Sequence, residues 1–233
     1  MHAYLGRMGV PAPPPSAGGD NGGFLFVACV MTVAPASAPV VAPRALHALA
    51  LALAGDPFYR AVSVAAGEHA GQRAQLLEAY FQLALDEAAQ VGEVHSHGAD
   101  GAALWLTREA GPRAIAVAQA VRSQALQPLL GPQGYQTYTD ICSAMAAQVP
   151  AALDGAWYLS ILGVHPAARG QGLAQRLLAP TLARADRVGA ASYLETFNPL
   201  SLPFYERLGF GGAVECREPV TGRAYWLLVR QPG

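Results

Sequence analysis

The 233-residue sequence contains no lysine; all 15 of its Lys/Arg positions are arginine. That absence rules out a phosphate loop of the G-x-x-x-x-G-K-[ST] type, whose lysine reaches the terminal phosphates. Basic surplus is also lacking: the formal charge of −1 argues against a nucleic-acid-coating role. Cysteine is scarce. Cys29, Cys142 and Cys216 lie far apart with no C-x-x-C pair, which suggests reduced thiols packed as small core residues and a cytoplasmic chain, not a disulfide framework. No apolar run reaches the ~18–20 residues that span a bilayer. The nearest candidate, FLFVACVM from Phe24 to Met31, is short, and the VPAPPPSAGGDNGG before it carries no basic residue of a secretion signal. No membrane or nucleic-acid partner is expected.

What is present divides the chain in two. Residues 1–23 read as a disordered Pro/Gly-rich leader, and 24–233 as one domain, with 24–33 as a buried first strand. Met31 is an alternative translation start. RALHALALALA (44–54) places Leu46, Leu49, Ala50 and Leu53 at helical spacing. It ends at Gly55-Asp56-Pro57, where glycine closes a helix and proline cannot continue it. Gln72–Ala89 is a second amphipathic helix. VGEVHSH and AALWLT flank a GADG turn, a hairpin signal. Helical stretches near 114–127 and 135–148 follow. WYLSILGV (157–164) reads as a central strand, then a glycine loop, a helix to about Val188 and a strand at 191–196. A short helix near 201–208 leads into a last hairpin around PVTG (219–222). Alternating strands and helices predict an α/β chain with a mixed, partly parallel sheet. The glycine loop would then sit at the carboxyl edge of the sheet, where ligands bind.

VHPAARGQGLAQRLL (164–178) is the stretch that carries chemistry. A dinucleotide fingerprint G-x-G-x-x-G fails, because Gln175 stands at its third glycine. What remains is R-x-x-G-x-A, formed by Arg169, Gly172 and Ala174. Small residues at 170, 172 and 174 let a pyrophosphate approach the backbone, and a helix N-terminus favours its charge. Alone, such a loop is equally well a plain turn.

Downstream, ETFNPLSLPFYERLGF (195–210) sets Asn198, Tyr205 and Gly209-Phe210 at fixed spacings after a strand. With the loop and its preceding strand, this resembles the GNAT superfamily of acyl-CoA-dependent N-acetyltransferases. Through LALAGDPFYRAV (51–62), AALWLT (102–107), LGVHPAARGQG (162–172), LETFNPLSLPFYERLGF (194–210) and the terminal AYWLLVRQP it resembles most closely the puromycin N-acetyltransferase-like branch. The likeness spans most of 44–232, in order, and leaves the first 30 residues unmatched. Ala174 stands where glycine is common, and Ser201 where that branch often has asparagine. Pro180 falls inside the predicted crossover helix, where a bend is expected.

The resemblance implies a GNAT fold, a mixed sheet of about six to seven strands with helices on both faces. It also implies acetyl-CoA as co-substrate and acetyl transfer to an amine by direct attack on the thioester. Arg169, Gly170, Gly172 and Ala174 would seat the pyrophosphate, with Arg176 adding charge, and Asn198 would belong to the coenzyme site. Leu162 to Val164 would pair with the pantetheine arm, the Leu162 or Val164 amide donating to the thioester oxygen. Tyr205 occupies the general-acid position, against the alternative of a packed core aromatic. An amine of pKa ~10 is almost wholly protonated at pH 7, so a base is needed. Glu195, at its strand end, is the best side chain for that role; the competing reading is an exposed or salt-bridged strand-end carboxylate. Tyr158 and Ser160 share a strand face and could orient a water. His165 reads as a strand-to-loop turn residue. His95 and His97 form an H-x-H pair without a third ligand, hence surface histidines, and no metal is called for.

The acceptor is left open. Asp56, Glu68, Glu78, Asp86 and Glu87 could attract a cationic amine or simply be solvated. Phe58, Tyr59, Tyr80, Phe81 and Trp105 could line a pocket or be core. A small-molecule amine is the first reading; a peptide or protein amine, or a non-catalytic acyl-CoA-binding regulator, are the alternatives. Either a monomer or a homodimer is compatible with the sequence.

Overall fold

A computed structural model describes residues 43–67 and 69–233. The expected leader, the strand at 24–33, Cys29 and Glu68 lie outside the described residues.

Two short helices come first, α1 (Pro43–Leu53) and α2 (Pro57–Val62). Asp56 separates them: its Oδ1 accepts the Phe58 N–H at 2.9 Å and caps α2, with Pro57 in the first turn, where its missing N–H costs nothing. Then come α3 (Ala70–Val91), the hairpin β1 (Gly92–His97) and β2 (Gly101–Leu106), and α4 (Gly111–Ala146). The two helices expected near 114–127 and 135–148 are both present in this span, parted at Gly131 (φ 67°, ψ 173°) just before Pro132. A proline disfavours helical backbone in the residue before it, so the break falls there. The second half contains β3 (Trp157–Val164), α5 (Leu173–Val188), β4 (Ser192–Thr196), α6 (Leu202–Glu206), β5 (Gly211–Arg217) and β6 (Ala224–Arg230). Pro180 lies on the exposed side of α5, and the helix stays continuous through it.

The six strands form one sheet in the order β1-β2-β3-β4-β6-β5, with β3–β4 parallel and every other pair antiparallel. Residue alternation gives it two apolar faces. Leu104, Leu106, Tyr158, Ile161 and Tyr193 pack with residues of α1 to α4. Trp105, Trp157, Leu159, Leu194 and Leu228 pack with α5, Tyr205 and Phe210. The expected mixed α/β sheet with helices on both faces is therefore present. α1 crosses β3 closely at Gly163, where a Cβ would stand 2.6 Å from Leu49 Cδ2.

Two irregularities in β3 prepare the site. Leu104 pairs with Ile161 and Trp105 with Leu159, leaving Ser160 as an extra, unpaired residue. Such a bulge bends the strand and re-aims the side chains beyond it. On the other edge only Trp157 and Tyr158 pair with β4, opposite Ser192 and Tyr193. Beyond Tyr158 the two parallel strands diverge.

Candidate active site

The divergence opens two clefts that share β3 as a wall. The first, about 90 Å³, is lined by Tyr158, Ser160, Leu162, Glu195 and Tyr205, and closed by Asp56, Phe58, Tyr59 and Phe197. Glu195 reaches it from the end of β4. Its Oε2 accepts the Tyr158 hydroxyl at 3.1 Å, while Oε1 is buried with no hydrogen-bond partner among the described residues. Burial disfavours the charged form and pushes this carboxyl up to about 7. Glu195 is partly exposed, and among the described residues it bonds a phenol and forms no salt bridge.

Tyr205 descends from α6 onto the same cleft. It is only 9% exposed and its ring stands edge-on to Phe204 and Phe210, with centroids 5.0 and 5.9 Å away. Burial raises its phenol above the ordinary tyrosine value, so it stays protonated across the neutral range. The two readings weighed for Tyr205 thus merge: the ring packs in the core and the residue also lines the cleft.

The second cleft, about 550 Å³, is formed by the glycine loop and the start of α5, with Val164, Arg169, Gly170, Gly172 and Ala174 in its lining. Gly170 (φ 78°) and Gly172 (φ 69°) adopt left-handed backbone, which any side chain would strain. Gly172 caps α5 without a side-chain hydrogen bond to the first-turn amides, leaving them available. Arg169 is partly engaged, with Nε on the Val164 carbonyl and Nη2 on the Ala52 carbonyl, both at 3.4 Å. It braces the loop against α1 as well as lining the cleft. Arg176 turns back to the Gln171 carbonyl at 2.7 Å. Arg207 lines this cleft too; the sequence reading missed it, and its position two residues after Tyr205 was the only signal.

Strand geometry links the clefts. The His165 N–H donates to the Asp100 carbonyl toward β2. Alternation along an extended strand then turns the Leu162 and Val164 amides to the opposite edge, the one β4 has left. Leu162 lines the first cleft and Val164 the second.

Other expected residues fall elsewhere. Asn198 lines neither cleft; its side chain accepts the Leu200 N–H at 3.1 Å and caps a short 3₁₀ turn. His165 is a turn residue, its Nδ1 accepting the Ala167 N–H at 3.2 Å. Tyr80, Phe81 and Trp105 are buried core, whereas Phe58 and Tyr59 also reach the first cleft. Glu78 pairs with His47 at 2.6 Å, Asp86 accepts from Gln82 at 2.8 Å, and Glu87 is buried against Arg122 at 3.1 Å. His95 is tied into a network with Thr181 (2.9 Å) and Glu93 (3.1 Å), and His97 meets Asp100 at 3.2 Å. Among the described residues no group of three or more potential metal ligands occurs, and no helix is long and apolar enough to cross a membrane.

Comparison with known proteins finds a family match over the segment that carries the glycine loop and Tyr205. Residues 142–210 match the model of the acetyltransferase (GNAT) family. A candidate acetyltransferase of Agrobacterium tumefaciens is 35% identical over 33% of this chain and 57% of its own, with a TM-score of 0.28. The ribosomal-protein-S18-alanine N-acetyltransferase of Escherichia coli is 25% identical over 33% of this chain and 54% of its own, with a TM-score of 0.30. A mosquito arylalkylamine N-acetyltransferase (like 5b) is 15% identical over 80% and 94%, with a TM-score of 0.45. The chain spans little more than half the length of the first two. The family match covers β3, the glycine loop, α5, β4 and Tyr205.

Proposed function

We propose that this protein transfers an acetyl group from acetyl-CoA to the primary amine of a small molecule. The observation that carries the reading is the convergence of Glu195 and the Tyr205 ring on one cleft, at the point where β3 and β4 separate. The GNAT family uses acetyl-CoA as co-substrate, which supplies the thioester whose C–S bond breaks as the C–N bond forms. The loop fits its pyrophosphate: left-handed glycines, uncapped amides at the head of α5, and Arg169 and Arg207 in the lining. The Leu162 and Val164 amides supply donors along the opened edge of β3.

The proton chemistry belongs to the side chains. As carboxylate, Glu195 takes a proton from the ammonium and frees the attacking lone pair. A carboxyl raised to about 7 is matched to this task near neutral pH. Tyr205 gives its proton to the departing thiolate and recovers one from the nitrogen as the amide forms. One proton in all leaves to solvent through Glu195. The small cleft, walled by Phe58, Tyr59 and Phe197, favours a small acceptor over a peptide laid along a groove. Kinship with the puromycin N-acetyltransferase-like branch, a cytoplasmic location and a monomeric or homodimeric state complete the proposal. Thiol release from acetyl-CoA, measured across puromycin, polyamines, aminoglycosides and short peptides, tests it. Release with a small amine is the expected result; absence of acetyl-CoA binding by calorimetry would refute the reading of the loop.

A further inference from the structure

Two carboxylates line the first cleft. Asp56 lines it from the α1–α2 junction and Glu195 from the end of β4, and among the described residues none in the lining is Arg, Lys or His. Both carboxyls are raised by burial, Asp56 to about 6 and Glu195 to about 7, the former against the opposing pull of the Phe58 and Tyr59 amides. Both carboxylates are partly shielded from water, which carries a desolvation cost that a cationic ligand relieves. Two further atoms point to an occupant. Glu195 Oε1 is buried and unpartnered, and the hydroxyl of the 91%-buried Tyr205 (9% exposed) has no hydrogen bond to any described residue. Leu53, Phe58, Tyr59, Met145 and Phe197 line the same cleft, beside Ser160 and Thr196. Two carboxylates together with apolar side chains in one cleft are the complement of an alkyl chain bearing two ammonium groups.

We infer that the acceptor is a short diamine, its reacting nitrogen at Glu195 and its second ammonium held by Asp56. This deepens, and for its chemistry rests on, the acetyl-transfer reading. Asp56 is well placed to select without reacting. Its Oδ1 is fixed by the Phe58 N–H at 2.9 Å, so the carboxylate is held in position before a ligand arrives.

The test compares 1,4-diaminobutane with 1-aminobutane on the full chain, by calorimetric titration and by thiol release from acetyl-CoA. The diamine is expected to bind about 10–100-fold more tightly, the range of one added charge-assisted hydrogen bond in a partly buried site. Asp56→Asn, which retains a capping oxygen, should reduce that preference to about threefold or less, chiefly through Kd and KM. Asp56→Ser, a second capping residue without charge, serves if the first variant folds poorly. Equal binding of the two amines, or a preference that survives both substitutions, overturns the inference. The two readings fail separately. Preferential diamine binding lost with Asp56 but without thiol release would uphold the diamine site and sink acetyl transfer to it. Equal turnover of monoamine and diamine would uphold the transferase and sink the diamine.

Discussion

Replacing Glu195 by glutamine removes the ionisable group while preserving its shape and an acceptor for Tyr158. In the wild type the carboxyl is raised from 4.5 to about 7 because it is desolvated. If the carboxylate is the base, kcat/KM rises with pH and levels off above about 7. At pH 6 roughly a tenth of the protein carries the base, so activity there should be about a tenth of the plateau. Glu195→Gln should lower the plateau by ~10²–10⁴ and abolish this limb. Stability offers an independent readout. The folded state holds the Glu195 proton more tightly than the unfolded chain does. Its contribution is therefore present below about 4.5 and lost as pH rises through about 7. The full shift corresponds to on the order of 3 kcal/mol, and less in practice because the residue is partly exposed. Asp56, also raised, titrates in both proteins, so the difference between them isolates Glu195. Thermal unfolding at pH 5 and pH 8 should show the variant gaining several degrees on the wild type at the higher pH. An unaltered acid limb in Glu195→Gln, with parallel melting curves, would falsify the assignment.

Three further perturbations probe the remaining parts. Tyr205→Phe keeps the ring against Phe204 and Phe210 and should cut kcat by ~10²–10⁴ while leaving the acetyl-CoA Kd nearly unchanged; stopped-time thiol assays with calorimetry separate the two, and normal turnover removes it as the acid. Gly172→Val forces a β-branched residue into left-handed backbone at φ 69°, which should cost ~1–2 kcal/mol in urea unfolding and weaken acetyl-CoA binding; unchanged affinity would reduce the loop to a turn. Arg122→Met strands Glu87 in the core, where the pair is almost wholly buried (2% and 1% side-chain exposure) and Arg122 also stands 5.0 Å over the Tyr80 ring. A loss of ~3–5 kcal/mol is expected, largely recovered by adding Glu87→Leu; a single variant as stable as wild type would contradict it.

Local sequence rules wrote much of this architecture. The helical spacing of Leu46, Leu49 and Ala50, the stop at Gly55-Asp56-Pro57, the GADG and PVTG turns and the glycine loop are short-range signals, and each element stands close to where those signals place it. The break at Gly131 falls in the gap between the two helical stretches that the pattern places near 114–127 and 135–148. The expectation for Asn198 rests on motif spacing alone, and the fold turns its side chain to a local cap.

The sequence by itself determined which elements form, where Tyr205 and the loop stand relative to strand ends, and that no lysine serves phosphate. These depend on interactions within a few residues, which spacing and composition encode. Only the tertiary structure decided that β3 parts from β4 after Tyr158, that Glu195 is desolvated and not salt-bridged, and that Asp56 faces the same cleft across more than a hundred positions of chain. Desolvation and charge pairing are set by whatever neighbours the fold brings into contact, and those neighbours are distant in the sequence.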